Sequence, residues 1–214
     1  IVGFKYLRTS DGRLLLNSDG MVQADTKRSV LGNIQPKWLA GLTNTVSFKG
    51  FVLSALIDVR NGGQIYSYSA YDQYAKGTGK FTENGDNLIE DGVIENSSGG
   101  YDKSTKVLKR QGYYAMKAWS GGREAMVLSA SYVALREVTF GYNFKPAFLS
   151  KLKINSARFS VVGRNLGYFY RDPLFKTMGL SPEAAFAPTA AAQGYETSGV
   201  PSTRSVGFNL NLSF

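Results

Sequence analysis

Any reactive centre in this chain would need an unusual set of side chains, because the 214 residues include 0 histidines and 0 cysteines. Without imidazole the ordinary general base near neutral pH is missing, and so is the commonest zinc ligand. Without thiols there is no thiolate nucleophile and no disulfide frame. Enzyme chemistry would then fall to paired carboxylates, or to serine with lysine. The carboxylates lie mostly in glycine-rich stretches, and nothing in their spacing suggests a glycosidase pair. Glu83-Asn84-Gly85-Asp86-Asn87 with Glu90-Asp91 faintly resembles a calcium loop, but its spacing does not fit the EF-hand and it reads as a solvated acidic turn. The expectation is no enzyme, no cofactor and no metal site.

Aromatic rings are the side chains left that could hold a ligand. Tyr66, Tyr68, Tyr71, Tyr74, Tyr113, Tyr114 and Trp119 share one long stretch, where rings could stack on sugars. Tyr66, Tyr68, Tyr71, Tyr113, Tyr114 and Trp119 are candidate ligand or partner contacts. The plainer reading is that they pack the stretch itself or meet a partner protein. Tyr142, Phe144, Tyr168, Phe169 and Tyr170 fall near strand ends and suit an interfacial aromatic girdle. The formal charge is +9, but Lys and Arg are scattered, in pairs no longer than Lys27-Arg28 and Lys109-Arg110. No basic helix, zinc-finger spacing or RNP-like motif accompanies them, so nucleic acid is not an expected partner. Charges facing anionic lipid heads explain the balance.

The elements that must position these rings are strands. Val206, Phe208, Leu210, Leu212 and Phe214 alternate with Gly207, Asn209, Asn211 and Ser213, so one face is apolar and the other small and polar. That spacing, ending on a C-terminal aromatic, resembles the last strand of outer-membrane β-barrels, where it doubles as an assembly signal. Leu42–Lys49 and Phe51–Arg60 alternate across a tight Lys49-Gly50 turn and read as a hairpin. Further strands are expected over 2–7, 132–143, 157–166 and 204–214, with a phase slip at Arg136-Glu137 that fits a β-bulge. Leu14–Leu16 could pair back on the first strand, Met21–Pro36 reads as loop, and Ser69–Ala75 as a short helix.

Long loops are expected over 61–130 and 171–201, separated by the short connections Lys49-Gly50 and Phe144–Lys153. Such asymmetry is that of outer-membrane barrels, whose periplasmic turns are short and extracellular loops long. No run of apolar residues is long enough for a transmembrane helix. No signal peptide opens the chain, so its start reads as a processed end or a cut inside a longer protein.

Four stretches together resemble one family. LTNTVSFKGFVLSALIDVRNGGQIY (42–66), ASYVALREVTFGY (130–142), ARFSVVGRNL (157–166) and VPSTRSVGFNLNLSF (200–214) are similar to the C-terminal portion of SusC/RagA transporters, the TonB-dependent outer-membrane proteins of Bacteroidota. The resemblance implies an all-β fold, here a transmembrane antiparallel β-barrel segment of about six strands from a plugged barrel of about 22. It implies location in the cell outer membrane and contact with its lipid. It implies a SusD-like surface lipoprotein as partner, and energy from the TonB complex through a part of the protein outside this sequence. The implied function is import of glycans or peptides. A soluble β-rich binding or adhesion module is the alternative, and a small structural outer-membrane protein a lesser one.

Overall fold

The structure, a computed structural model, describes residues 1–83, 87–145, 149, 153–183, 193–197, 199 and 202–214. In chain order the strands are β1 (Val2–Tyr6), β2 (Leu15–Leu16), β3 (Ala24–Val30), β4 (Trp38–Phe48), β5 (Phe51–Asn61), β6 (Gln64–Ser67), β7 (Asn87–Leu88), β8 (Val93–Glu95), β9 (Tyr101–Lys103), β10 (Leu108–Lys109), β11 (Val127–Ser129), β12 (Tyr132–Asn143), β13 (Ser156–Arg171), β14 (Tyr195–Glu196) and β15 (Ser205–Ser213). The helices are α1 (Tyr68–Lys76), α2 (Arg110–Trp119) and α3 (Pro173–Met178). Among the described residues no helix is long and apolar enough to cross a membrane. The chain divides into a wall unit, residues 36–62, 131–171 and 201–214, and a loop unit, residues 1–35, 63–130 and 172–200.

The wall unit is one antiparallel sheet with the order β15-β13-β12-β5-β4. Its register explains the alternation read from sequence. Phe208 lies opposite Val161, Val161 opposite Phe140, Phe140 opposite Leu53, and Leu53 opposite Val46. Because side chains alternate along each strand, this row is apolar from edge to edge. The neighbouring row, Asn209, Ser160, Gly141, Val52 and Ser47, is small and mostly polar. The β4–β5 hairpin turns at Lys49 (φ 47°) and Gly50 (φ 91°). Positive φ at both central residues matches the right-handed twist of the strands it joins. Beyond the turn, a Cβ on Gly50 would come 3.0 Å from the Tyr142 ring and 3.1 Å from the Asn143 carbonyl.

The loop unit has its own core: Ile65, Ala70, Tyr74, Ala118, Met126, Leu128, Ala130, Phe175 and Met178. Around it stand the sheets β11-β6-β14, β2-β8-β9, β1-β3 and β10-β7. α1 starts where Ser67 Oγ accepts the Ala70 N–H at 3.0 Å and ends at Gly77 with φ 66°, a Ser N-cap followed by a left-handed Gly C-cap. α3 is opened in the same way by Asp172, whose side chain accepts the Leu174 N–H at 2.9 Å. A second cluster joins Tyr6, Leu16 and Val22.

Several expectations need correction. The segment 61–130 is not an open loop: it supplies β6 to β11, α1 and α2, and most of a buried core. Its frequent glycines hide the pattern, because elements of two to four residues leave no period to read. Segment 171–201 likewise contributes α3 and β14. Met21–Pro36, read as loop, holds β3, which pairs β1 with Val2 opposite Val30. Leu14–Leu16 does pair back, through an Arg8–Leu14 bridge and the Leu15 N–H donating to the Leu7 carbonyl at 2.9 Å, and Leu15-Leu16 pairs in parallel with β8 as well. The strand at 2–7 therefore belongs to the loop unit, and the wall sheet has five strands rather than about six. β4 begins four residues before Leu42, and β13 runs on to Arg171. The phase slip at Arg136-Glu137 is a register shift between Leu135 and Glu137 on both sides of β12. The calcium-like stretch and the Phe144–Lys153 connection fall partly on 84–86, 146–148 and 150–152, outside the described residues.

Candidate functional site

Two surfaces carry functional information, one in each unit. In the wall unit the apolar face is largely bare, whereas the opposite face is buried or half-buried on much of β5, β12 and β13 and exposed on the outer strands β4 and β15. Phe208 is 70% exposed and Leu53 47%, whereas Val52 and Ser160, on the opposite face, are buried. Val206, Leu210, Leu212 and Phe214 are exposed as well, as are Leu42, Val46, Phe48 and Phe140. Burying one such side chain contributes roughly 1.5–3 kcal/mol, so a face of this breadth is unstable against water. β5 has 11 residues, an extended length of about 36 Å at ~3.3 Å per residue. Tilted by about 45°, that spans about 25 Å, the height of the apolar band of an outer-membrane barrel. At the end carrying the Lys49-Gly50 turn the apolar face becomes aromatic. Phe51 lies 5.7 Å from Phe140 and 4.8 Å from Tyr142, Tyr142 meets Phe144 at 5.3 Å, and Phe159 stacks on Phe208 at 6.0 Å. Tyr168, Phe169 and Tyr170 occupy the far end of β13.

The opposite face of the wall carries charge. Arg136 reaches Asp58, which also accepts the Tyr132 hydroxyl at 3.0 Å. Arg164 donates to Glu137 at 2.8 Å. Arg171 lies 5.1 Å over the Tyr168 ring, and Tyr168 meets Tyr132 edge-on at 5.8 Å. The two outer strands, β4 and β15, each pair on one side only among the described residues.

In the loop unit the candidate aromatics sort into three groups. Tyr66, Tyr68 and Tyr71 come together. Tyr68 and Tyr71 stand one helical turn apart on α1, with ring centroids 5.3 Å apart. β14 sets Tyr195 opposite Tyr66, so their rings stack at 5.5 Å, and Tyr195 lies 6.5 Å from Tyr68. Arg123 lies 4.9 Å over the Tyr71 ring and gives Nη1 to the Ala118 carbonyl at 2.9 Å. Tyr66 and Tyr71 are half-buried against the loop-unit core, as is Tyr114, and Tyr113 lies inside the fold. Tyr113 is buried, with its hydroxyl 2.8 Å from Lys117, and Tyr114 sits edge-on to Tyr74 at 5.2 Å. Trp119 stands apart and exposed at the end of α2. Tyr195 and Arg123 were not legible beforehand, since a two-residue strand gives no periodic signal. Burial raises the Tyr66 and Tyr195 hydroxyls above the usual tyrosine range, and burial pushes Tyr74 up to about 12.

Nothing in this arrangement gathers catalytic groups. Among the described residues no cluster of carboxylates could hold a metal ion. Glu90 and Asp91, from the calcium-like stretch, instead face Lys117 and Lys103, each at 3.5 Å.

TonB-dependent receptor P3 of Formosa agariphila is 25% identical over 209 residues, covering 95% of this chain and 19% of that protein. TonB-dependent receptor P39 of the same organism is 24% identical over 201 residues, 92% of this chain and 18% of that protein. The chain is thus similar to TonB-dependent receptors over nearly its whole length, and it spans about a fifth of the length of the relatives it matches. No protein-family model matches it. In fold, all of the chain superposes on 22% of a chain of the RagAB peptide importer in its open-open state, with a TM-score of 0.59 and 17% identity. The closed-closed state of the same importer gives 0.56, with 18% identity. The relatives are receptors and the structural neighbours transporter chains, which agrees with the resemblance read from sequence.

Proposed function

We propose that this chain forms part of the barrel wall and of the extracellular mouth of a TonB-dependent, SusC-like importer in the outer membrane. The observation that carries the reading is the inverted sheet: five long strands whose apolar face is bare and whose opposite face is polar and charged. In lipid the bare face is satisfied, and backbone groups on open edges must find partners inside a closed sheet. β4 and β15 are therefore seams that further strands of a larger barrel would close. The loop unit, made from the segments 1–35, 63–130 and 172–200, forms part of the mouth.

Kinship to TonB-dependent receptors supports energy coupling through the TonB complex, by a part of the protein outside this sequence. The structural likeness to RagAB supports a SusD-like surface lipoprotein as partner and an oligomeric nutrient, glycan or peptide, as cargo. The test is fractionation of cells that make the full-length protein. The expected result is recovery in the outer membrane, release only by detergent, and a heat-modifiable band on gels. Recovery in a soluble fraction would favour the β-rich binding module and overturn the importer.

A further inference from the structure

We propose that Lys49, Lys145 and Lys153 form one binding site for the negatively charged headgroups of phospholipids, at the short-turn end of the wall. The site rests on the reading of the wall as a lipid-facing sheet. Charge in the wall unit is sorted along the strands. Its side-chain carboxylates are Asp58 and Glu137, and each is held by a guanidinium, that of Arg136 and that of Arg164. Its lysines lie elsewhere. Lys37 precedes β4, whereas Lys49, Lys145, Lys151 and Lys153 fall in the two short connections at the opposite end. No Asp or Glu occurs in 47–57, in 138–171 or in 205–214, so nothing acidic in the side chains balances that end. Lys151 lies outside the described residues.

Backbone bonds set the two connections side by side. The Asn143 N–H donates to the Gly50 carbonyl at 2.8 Å, and the Phe144 N–H to the Ala157 carbonyl at 3.0 Å. Lys49 is therefore beside the end of β12, Lys145 two residues beyond that end, and Lys153 three residues before β13. All three lysines are exposed, and among the described residues none reaches a carboxylate. Lys49 shows how such a side chain lies: its Nζ is 5.2 Å from the centre of the Phe48 ring, on the apolar face. The aliphatic stem follows apolar surface and the ammonium ends beyond it. Phe51, Phe140, Tyr142 and Phe144 continue the aromatic band behind the lysines.

The order of the chemistry selects the ligand. Aliphatic side chains, then rings, then unpaired ammonium groups succeed one another toward the turns, as acyl chain, ester region and phosphate do in a lipid. A soluble anion would meet the charges but has nothing to lay on the apolar face that adjoins them. Lysine suits a mobile headgroup, because it is a compact charge on a flexible stem, whereas arginine clamps a fixed anion. Each lysine near an anionic surface strengthens the attraction roughly fivefold. Short turns of outer-membrane barrels are periplasmic, so the ligands are phospholipids of the inner leaflet rather than lipopolysaccharide of the outer one.

The test uses the full-length transporter, purified from the outer membrane in detergent. Phosphatidylglycerol, phosphatidylcholine and lipid A are titrated separately, and bound lipid is read by native mass spectrometry. Phosphatidylglycerol is expected to bind about tenfold more tightly than phosphatidylcholine, and added salt should narrow the difference. Combining Lys49→Gln, Lys145→Gln and Lys153→Gln should cut that preference about fivefold or more, whereas arginine at the same three positions should keep it. Lys145→Gln with Lys153→Gln, which spares the β4–β5 turn, should cut it about threefold or more. Combining Lys37→Gln, Lys80→Gln and Lys176→Gln removes the same charge elsewhere and should leave it unchanged. An equal loss in that last variant overturns the site in favour of net charge alone. No preference for phosphatidylglycerol, in a transporter recovered from the outer membrane, overturns the site and leaves the importer standing. Tighter binding of lipid A through the same lysines overturns the phospholipid as ligand. Absence of the full-length protein from the outer membrane overturns the importer and the site together.

Discussion

Arg136 approaches Asp58 with two nitrogens, Nη2 at 2.8 Å and Nε at 3.0 Å, at the residue where β12 bulges. The bulge inserts one residue into β12 relative to β5, and the inserted guanidinium finds the carboxylate across the strand boundary. The same guanidinium covers the Tyr132 ring at 5.2 Å, and the Tyr132 hydroxyl binds that carboxylate too. Asp58→Ala or Arg136→Ala is expected to cost about 1–3 kcal/mol, as for a charge-assisted hydrogen bond left half made. The double variant should cost less than the sum. The melting temperature of the purified barrel measures this, and strict additivity would show that the two residues act independently.

Opposite faces of β15 should differ in tolerance. Leu210 belongs to the bare apolar row, whereas Asn209 lies beside Ser160 in the polar one. Leu210→Arg is expected to impair assembly strongly, since a charge at the lipid midplane costs roughly 2–4 kcal/mol, and Asn209→Arg should be tolerated. Equal assembly of the two in an outer-membrane insertion assay would refute the facing.

The β4–β5 turn should be sensitive at its second position. Gly50→Val must hold a branched residue at φ 91° and bring its Cβ to 3.0 Å from the Tyr142 ring. Left-handed backbone alone costs about 1–2 kcal/mol for such a residue. Lys49→Asn, a residue that adopts this conformation readily, should be neutral or stabilising. Heat-modifiability on gels distinguishes them, and a fully stable Gly50→Val would rule out this turn geometry.

Alkali should reach the loop unit through Tyr74. Burial first, then the nearby Tyr114 and Glu90, push its hydroxyl up to about 12. An unfolded tyrosine ionises near ~10, so the folded form keeps its proton longer. The resulting stabilisation is complete below about pH 10 and is lost as pH rises through about 12. Burial raises the Tyr6 hydroxyl as well, so ultraviolet titration should show more than one tyrosine that ionises late, and Tyr74→Phe should remove one of them. Ionisation of every tyrosine near the ordinary value would contradict the buried position.

The wall was legible in the sequence because its physics is periodic. One face is apolar and the other is not, so Phe208-Asn209-Leu210-Asn211 alternates without exception, and Lys49-Gly50 marks its turn. The loop unit was not, because its order is non-local. β14 needs β6, about 130 residues earlier, and nothing around Tyr195 announces that pairing. Tyr66, Tyr68, Tyr71 and Tyr113 look the same in sequence, yet Tyr68 is exposed, Tyr66 and Tyr71 are half-buried against the core, and Tyr113 is buried. Only tertiary burial separates them. The strand at 2–7 was found and misplaced, since its partner β3 (ADTKRSV) lacks the apolar alternation of a barrel strand.

The loop unit is laid down in three instalments, residues 1–35, 63–130 and 172–200, with wall strands between them. Phe175 and Met178, which fill its core, and Glu196, which ties β14 to α1, all belong to the last instalment. The unit therefore has no complete interior until nearly the whole chain has been made. Contacts so distant in sequence form late, and a chain cut short anywhere before Phe175 keeps its earlier pieces unsealed and open to proteases. A folded loop unit then reports that β4, β5, β12 and β13 have already been made.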